Sequence, residues 1–152
     1  MTADDRGWLR GQLSRLRASF DDLPSGLPRA AIHGDAWAGN VVVAADGPIL
    51  LDLERFSAGP PEWDLVSTAV RLRTFGTMTA AEYAGFADTY GYDVLEWDGF
   101  EVLRDIRELR VTCYAAQRAT ENPSFRAEAA LRVASLRGLR GERPWTDWKP
   151  LT

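Results

Sequence analysis

The chain has 152 residues, of which 45% are hydrophobic and 26% are charged, so it is long enough for one domain and too apolar for wholesale disorder. One cysteine excludes an intrachain disulfide framework, and one histidine excludes metal sites that need several imidazoles. No apolar run follows Met1, and no stretch approaches the ~18 apolar residues of a membrane span. We therefore expect a soluble, cytoplasmic protein without a membrane partner. The formal charge of −4 argues against a nucleic-acid partner.

The charge is unevenly distributed along the chain. Residues 62–108 carry a net charge of −6, and residues 109–152 carry one of +4. An acidic middle third can attract a cationic small molecule, although such a run is more often the solvated face of helices. Of the 18 basic residues, Lys149 is the only lysine.

The first 61 residues predict one helix followed by a small β element. Apolar residues recur at helical spacing over Asp4–Phe20. Val41–Val43 and Ile49–Leu51 flank the turn residues Ala45–Pro48, which is the pattern of a β-hairpin. The returning strand leads to Asp52, which we therefore expect at the end of the hairpin that is far from the turn.

Everything after Gly59-Pro60-Pro61 has helical periodicity. Thr79 with Glu82 three residues later has the spacing of a capping box. The predicted helices span 62–75, 79–91, 98–122 and 125–139. We expect the tail, 143–152, to lie against the body without regular structure, Cys113 to be a core thiol, and the tryptophans at 63, 97, 145 and 148 to be packing residues.

One segment contains the candidate catalytic and metal-binding residues. Asp35 and Asn40 lie on either side of a four-residue loop that contains a glycine, and the hairpin returns Asp52 to the same end of the sheet. Two carboxylates and an amide oxygen are hard oxygen ligands of the kind that Mg²⁺ prefers, with phosphate and water completing the octahedron. This arrangement predicts phosphoryl chemistry. His33, Asp52 or Asp64 taken singly would more often be structural, and only their order and spacing favour function.

These motifs resemble a known family. The His-x-Asp-x-x-x-x-Asn spacing from His33 to Asn40 and the later Asp52 match the catalytic loop and metal aspartate of protein kinases. The version with glycine, His33-Gly34-Asp35, resembles that of the aminoglycoside phosphotransferase and choline kinase family. Leu51–Glu54 and Gly59–Leu65 resemble two further motifs of the same family, although Ala36 and Trp37 differ from its usual residues.

The resemblance implies a role for each matching residue. Asp35 would be the catalytic base that accepts the proton of the substrate hydroxyl, and His33 would orient the loop. Asn40 and Asp52 would hold Mg²⁺ on the phosphates of ATP or another nucleoside triphosphate. Asp64, at the start of a helix, would fasten the catalytic loop by hydrogen bonds.

The resemblance covers only the C-terminal lobe of such a kinase. Kinases of this fold also have an N-terminal lobe that contributes a glycine-rich loop and a strand lysine. Only 32 residues precede His33, no glycine-rich strand–loop–strand is present, and Lys149 follows all the motifs. We therefore expect a truncated family member that is inactive alone, with the nucleotide-binding residues unknown and the surface exposed by the missing lobe joining copies into a homo-oligomer. The first helix, with Trp8, Leu9, Leu13 and Leu16, is expected at or near that contact.

The predicted fold is α+β and mostly helical, as a single partial domain whose small hairpin carries the catalytic and metal residues. Its parts are a leading helix and loop (1–28), the catalytic loop and hairpin (29–61), a helical bundle (62–140) and a tail (141–152). The implied function is ATP-dependent phosphorylation of a hydroxyl on a small, possibly cationic, acceptor. Two alternatives stay open: a non-catalytic binding or regulatory module, and a metal-dependent phosphohydrolase with water as the nucleophile.

Overall fold

A computed structural model describes residues 1–150 as a bundle of five α-helices with two small antiparallel sheets. The helices are α1 (Ala3–Asp21), α2 (Glu62–Arg73), α3 (Ala80–Tyr90), α4 (Phe100–Glu121) and α5 (Arg126–Leu136). The strands are β1 (Ala30–Ile32), β2 (Val41–Ala44), β3 (Gly47–Leu50) and β4 (Ser57–Gly59). None of the helices within residues 1–150 combines the length and apolarity needed to cross a bilayer.

The long helix α4 is the centre of the bundle, since α1, α2 and α5 all pack against it. Its apolar face contributes Phe100 and Leu103 to one core with α2 and α3, and Leu109 to a second core with α1 and α5. Leu103 is fully buried. Because α4 touches both cores, side chains that it presents elsewhere are held on a rigid support.

The two sheets place the candidate site residues. Strand β1 pairs with β4, and Ala30 lies opposite Gly59. Strand β2 pairs with β3 in a hairpin in which Val41 lies opposite Leu50. Beyond this last pair, the amide of Leu51 donates a hydrogen bond to the carbonyl oxygen of Asn40 at 2.9 Å. The register therefore brings Asp52, the next residue, to the same end of the hairpin as Asn40.

The predicted helices and hairpin are present in the structure, as is the capping box of Thr79 and Glu82. Strand β4 was not predicted from the sequence. Its three residues precede two prolines, and they form a strand by pairing with β1. The tail packs as expected: Trp145 is buried, and its amide donates to the carbonyl of Thr74 at 2.7 Å. Residues 151 and 152 lie outside the described part of the chain.

One expectation about a single residue is wrong. Cys113 is exposed, because the buried positions Thr112 and Ala115 of α4 turn it away from the core. In α1, Leu9 and Leu16 are buried within the chain against α4 and α5, whereas Leu13 is 45% exposed. The β2–β3 hairpin also exposes apolar surface, since Val43 is 85% exposed.

Candidate active site

The candidate site begins where β1 ends, in the loop His33-Gly34-Asp35. Gly34 has a φ of 80°, and a Cβ atom there would lie 2.6 Å from the carbonyl oxygen of Arg55. Both the left-handed backbone and the close approach of the segment after β3 require glycine at this position. The loop is thereby pressed against the chain that follows the hairpin.

His33 joins the loop to the end of the hairpin. Its ring is buried, with Nε2 2.8 Å from the carbonyl oxygen of Leu51. Its Nδ1 accepts a hydrogen bond of 3.3 Å from the amide of Asp35. An accepting Nδ1 assigns the proton to Nε2, which then donates to Leu51. The single histidine thus connects Asp35 to the residue that precedes Asp52.

Asp64, in the first turn of α2, holds the loop from the other side. Its two carboxylate oxygens accept hydrogen bonds from the amides of His33 (2.7 Å) and Gly34 (2.9 Å). The neighbouring Trp63 donates from Nε1 to the carbonyl of Gly34 at 2.9 Å, so this tryptophan does more than pack. The backbone of the loop is therefore fixed by side chains from α2.

Asp35 is half-buried, and α4 supplies a cation to each of its oxygens. Nη1 of Arg107 lies 2.8 Å from Oδ1, and Nη2 of Arg110 lies 3.0 Å from Oδ2. Arg110 also donates from Nη1 to the carbonyl of Gly34 at 3.1 Å. Burial lowers the pKa of Arg110, and the charges of Arg107 and Arg55 lower it further, while Asp35 opposes them.

The two arginines were not predicted from the sequence. Arg104, Arg107 and Arg110 recur every three residues along α4. This repeat was a signal that a cationic stripe runs along one side of the helix. Nothing in the repeat indicated that Asp35, in a distant part of the chain, would lie against it.

Asn40 and Asp52 lie at the hairpin end with oxygen atoms available. The buried Asn40 donates from Nδ2 to the carbonyl of Asp35 at 3.0 Å, which turns its Oδ1 the other way. Asp52 is exposed, and its backbone adopts the left-handed conformation with φ 59° and ψ 57°. It is the one non-glycine residue with positive φ in residues 1–150. Such conformations concentrate at functional sites.

The donor set at the hairpin end fits Mg²⁺ bound with a nucleotide. No three side chains of His, Cys, Asp or Glu within residues 1–150 are grouped to hold a metal by themselves. Mg²⁺ with a nucleotide needs only one or two protein oxygen ligands, because phosphate and water supply the rest. One amide oxygen and one carboxylate meet that need.

Comparisons with known proteins agree with the motifs. The model of the phosphotransferase enzyme family matches residues 2–106. Among solved structures, the crystal structure of a choline/ethanolamine kinase family protein from Mesorhizobium loti matches with a TM-score of 0.58 and 23% sequence identity. The match covers 96% of this chain and 49% of that one, so this chain spans about half the length of that protein. No curated protein matches the chain significantly.

At 23% identity the structural match establishes the fold alone, namely a mixture of helices and small sheets shared with part of a choline/ethanolamine kinase family protein. The family model matches well over half of the residues. The chain therefore belongs to the phosphotransferase enzyme family, within the aminoglycoside phosphotransferase and choline kinase group that its motifs resemble.

Proposed function

We propose that this chain carries the catalytic base and the metal ligands of a phosphotransferase that uses a nucleoside triphosphate to phosphorylate a small-molecule hydroxyl. The observation that carries the proposal is the fixed loop: His33 and Asp64 anchor it, and it presents Asp35 beside Asn40. Positioning of this kind is the main protein contribution to phosphoryl transfer.

The metal and the acceptor would approach Asp35 from different sides. On the hairpin side, Asn40 and Asp52 would hold Mg²⁺, which neutralises phosphate charge when bound. On the α4 side, the acceptor hydroxyl would approach Asp35, whose carboxylate accepts the hydroxyl proton. His33 and Asp64 hold the loop backbone still, so that Asp35 keeps its place during the reaction.

We further propose that the chain alone turns over slowly. Within residues 1–150, no hydrogen bond or ion pair joins a lysine side chain to the hairpin end. The backbone of Lys149 is bound instead to α5, through Glu128 and Arg132. A nucleotide at Asn40 and Asp52 would therefore have metal ligands on one side and no lysine clamp, which supports binding without fast transfer.

One observation favours the non-catalytic module as a second candidate. Both oxygens of Asp35 are engaged in ion pairs with Arg107 and Arg110. A carboxylate held in this way has less freedom to accept a proton from a substrate. The two candidates share the metal and nucleotide site and differ in turnover.

Calorimetric titration of MgATP into the full chain tests the shared site. Asp52→Asn should weaken Mg²⁺-dependent nucleotide binding by about tenfold or more, since a charged metal ligand is lost. Asp46→Asn is a matched control, because Asp46 lies at the turn of the same hairpin. Equal affinity in the two variants would contradict the proposed site.

A coupled assay of ADP release separates the functions. Acceptor-dependent release that Asp35→Asn abolishes establishes the phosphotransferase, and a rate within the usual ~1–100 per second would overturn the expectation of slow turnover. Nucleotide binding without any release establishes the binding module. Phosphate release that needs no acceptor would identify a phosphohydrolase instead.

A further inference from the structure

Three arginines lie at or near the candidate catalytic loop, and we call Arg55, Arg107 and Arg110 the arginine cluster. Arg107 and Arg110 come from α4 and contact the two oxygens of Asp35 directly. Arg55 follows the hairpin, and its backbone is in contact with Gly34, whose carbonyl accepts from Arg110. Arg107 and Arg110 therefore lie on the α4 side of Asp35, and the backbone of Arg55 lies beside the catalytic loop.

The cluster holds more positive charge than its carboxylate partner balances. Arg107 and Arg110 share the single carboxylate of Asp35. Arg55 has only a loose pair with Glu54, at 3.9 Å, in which both side chains are mostly exposed. The nearby Asp64 directs both of its oxygens to backbone amides. Asp35 is thus the one carboxylate that pairs with the two guanidinium groups from α4.

The two α4 guanidinium groups also have donors to spare. A guanidinium has five N–H donors. Within residues 1–150, the Arg107 side chain makes one hydrogen bond, to Asp35, although the residue is only 8% exposed. None of its donors, or of those of Arg110, is among the buried atoms that lack a partner. The donors without a partner therefore keep some surface that is accessible to solvent.

The electrostatics of Arg110 agree with this geometry. Burial lowers its pKa most, the charge of Asp35 opposes that shift, and repulsion from Arg107 and Arg55 lowers the pKa further. A bound anion would relieve both the repulsion and the loss of hydration. An ammonium or trimethylammonium group in the same place would add to the repulsion instead.

We infer that the acceptor is a small hydroxyl compound that carries an oxyanion group, a carboxylate or a phosphate, which pairs with Arg107 and Arg110 while its hydroxyl meets Asp35. This inference rests on the proposed function, which assigns Asp35 as the base. It differs from the cationic acceptor that the acidic middle of the sequence suggested. The acidic residues Asp105 and Glu108 in that part of the chain are paired with arginines on another side of α4.

In the transfer step, one phosphorus–oxygen bond is exchanged for another. The acceptor oxygen forms a bond to the γ-phosphorus, and its proton passes to Asp35. The bond between the γ-phosphorus and the bridging oxygen breaks, and its electron pair stays on the leaving nucleoside diphosphate. The oxyanion of the acceptor takes no part in these bond changes, since its role is to hold the molecule on the arginine cluster.

The test is direct binding of small probes to the full chain in the absence of nucleotide, measured by calorimetry. The probes are D-glycerate and glycerol 3-phosphate as anions, glycerol as the neutral analogue and choline as the cation. We expect both anions to bind, glycerol to bind at least about tenfold more weakly, and choline to show no binding. Choline binding as tight as that of the anions would overturn the inference, and so would equal binding of glycerol and D-glycerate.

Substitutions test whether the anion binds at the arginine cluster. Arg110→Gln should weaken D-glycerate binding by about tenfold, and Arg110→Lys, which keeps the charge but loses the fork, should weaken it less. Asp35→Asn frees both guanidinium groups and should tighten D-glycerate binding several-fold. Arg17→Gln, at an exposed position of α1, is the charge-matched control and should leave the affinity unchanged. A loss of affinity in Asp35→Asn, or an equal loss in Arg17→Gln, would overturn the inference.

Two further measurements test whether each variant folds and whether the cluster binds the acceptor or the nucleotide phosphate. Thermal unfolding of each variant shows whether it folds, and if Arg110→Gln does not, Asp35→Asn alone decides the question. Addition of MgATP shows which anion the cluster takes: D-glycerate binding that persists supports an acceptor site, whereas competitive displacement assigns the cluster to nucleotide phosphate and overturns the inference. Because these measurements need no turnover, an inactive chain that binds D-glycerate would contradict only the proposed function.

Discussion

The carboxylate of Asp64 accepts a hydrogen bond of 2.7 Å from the backbone amide of His33, a residue 31 positions earlier in the chain. Its second oxygen accepts from the next amide, that of Gly34, at 2.9 Å. One side chain in the first turn of α2 therefore satisfies two successive backbone donors of the candidate catalytic loop. The loop and the helical bundle are coupled through this carboxylate.

Replacing Asp64 by Asn should destabilise the chain. An amide has one oxygen, so one of the two loop amides loses its acceptor and the other loses a charged one. Loss of hydrogen bonds of this type should lower the free energy of unfolding by about 1–3 kcal/mol. Urea unfolding measures the effect. Asp88→Asn, on the exposed face of α3, is the control, and equal stability of the two variants would contradict the coupling.

The buried carboxylate of Glu108 leads to a second stability prediction. It is fully buried, and it accepts from Nε (2.7 Å) and Nη2 (2.6 Å) of Arg143, and from Thr74 (2.7 Å). Arg143→Ala should lower the free energy of unfolding by about 3 kcal/mol, because it leaves a buried charge without its main partner.

Arg140→Ala is the matched control for Arg143. Arg140 pairs with Asp147 in the same tail, and both side chains are nearly half exposed. An exposed pair of this kind contributes at most about 1 kcal/mol. If guanidine unfolding showed equal losses for the two variants, the tail would not be fastened through Glu108.

Local sequence patterns predicted the helices and the hairpin. The contacts between distant residues that build the candidate site could not be predicted in this way. Helical periodicity and a capping box located α3, because both signals lie within a few residues. Strand β4 was missed, since its order depends on pairing with β1, 25 or more residues away. In the same way Asp35 meets Arg107 across 72 residues, and no local pattern encodes that contact.

The hairpin is expected to mediate association between copies. Both faces of the hairpin expose apolar side chains, among them those of Val42, Val43 and Ile49. Each strand has one edge that is unpaired within residues 1–150, and a second copy offers the same edge and the same apolar side chains. We expect light scattering to show a dimer or a larger species that dissociates in the double variant Val43→Lys and Ile49→Lys. A monomer at high concentration before any substitution would contradict this prediction.

The single thiol gives a pH-dependent prediction. Partial burial raises the pKa of Cys113, although the residue is exposed at the surface of α4. Because only the thiolate reacts, alkylation of the folded chain by iodoacetamide should reach its half-maximal rate at a higher pH than in the chain unfolded by urea. The unfolded chain is the internal reference, since it contains the same one thiol. A midpoint at or below that of the unfolded chain would show that the thiol is not desolvated.

Because the backbone of Asp52 is left-handed, the relative stability of a glycine and an alanine variant at this position tests the site. At most positions alanine is more stabilising than glycine, because glycine loses more backbone entropy on folding. At φ 59° the order should reverse, since a Cβ atom disfavours the left-handed region by ~1–2 kcal/mol and glycine removes that cost. We expect Asp52→Gly to be more stable to urea than Asp52→Ala by about 1 kcal/mol. Both variants should lose Mg²⁺-dependent nucleotide binding, because both lack the carboxylate.

The same pair of substitutions at Asp46, a turn position of the same hairpin without positive φ, is the control and should leave binding unchanged. If Asp52→Ala were the more stable of the two, the candidate metal ligand would not occupy a strained backbone position, and the link between strain and function at this residue would fail.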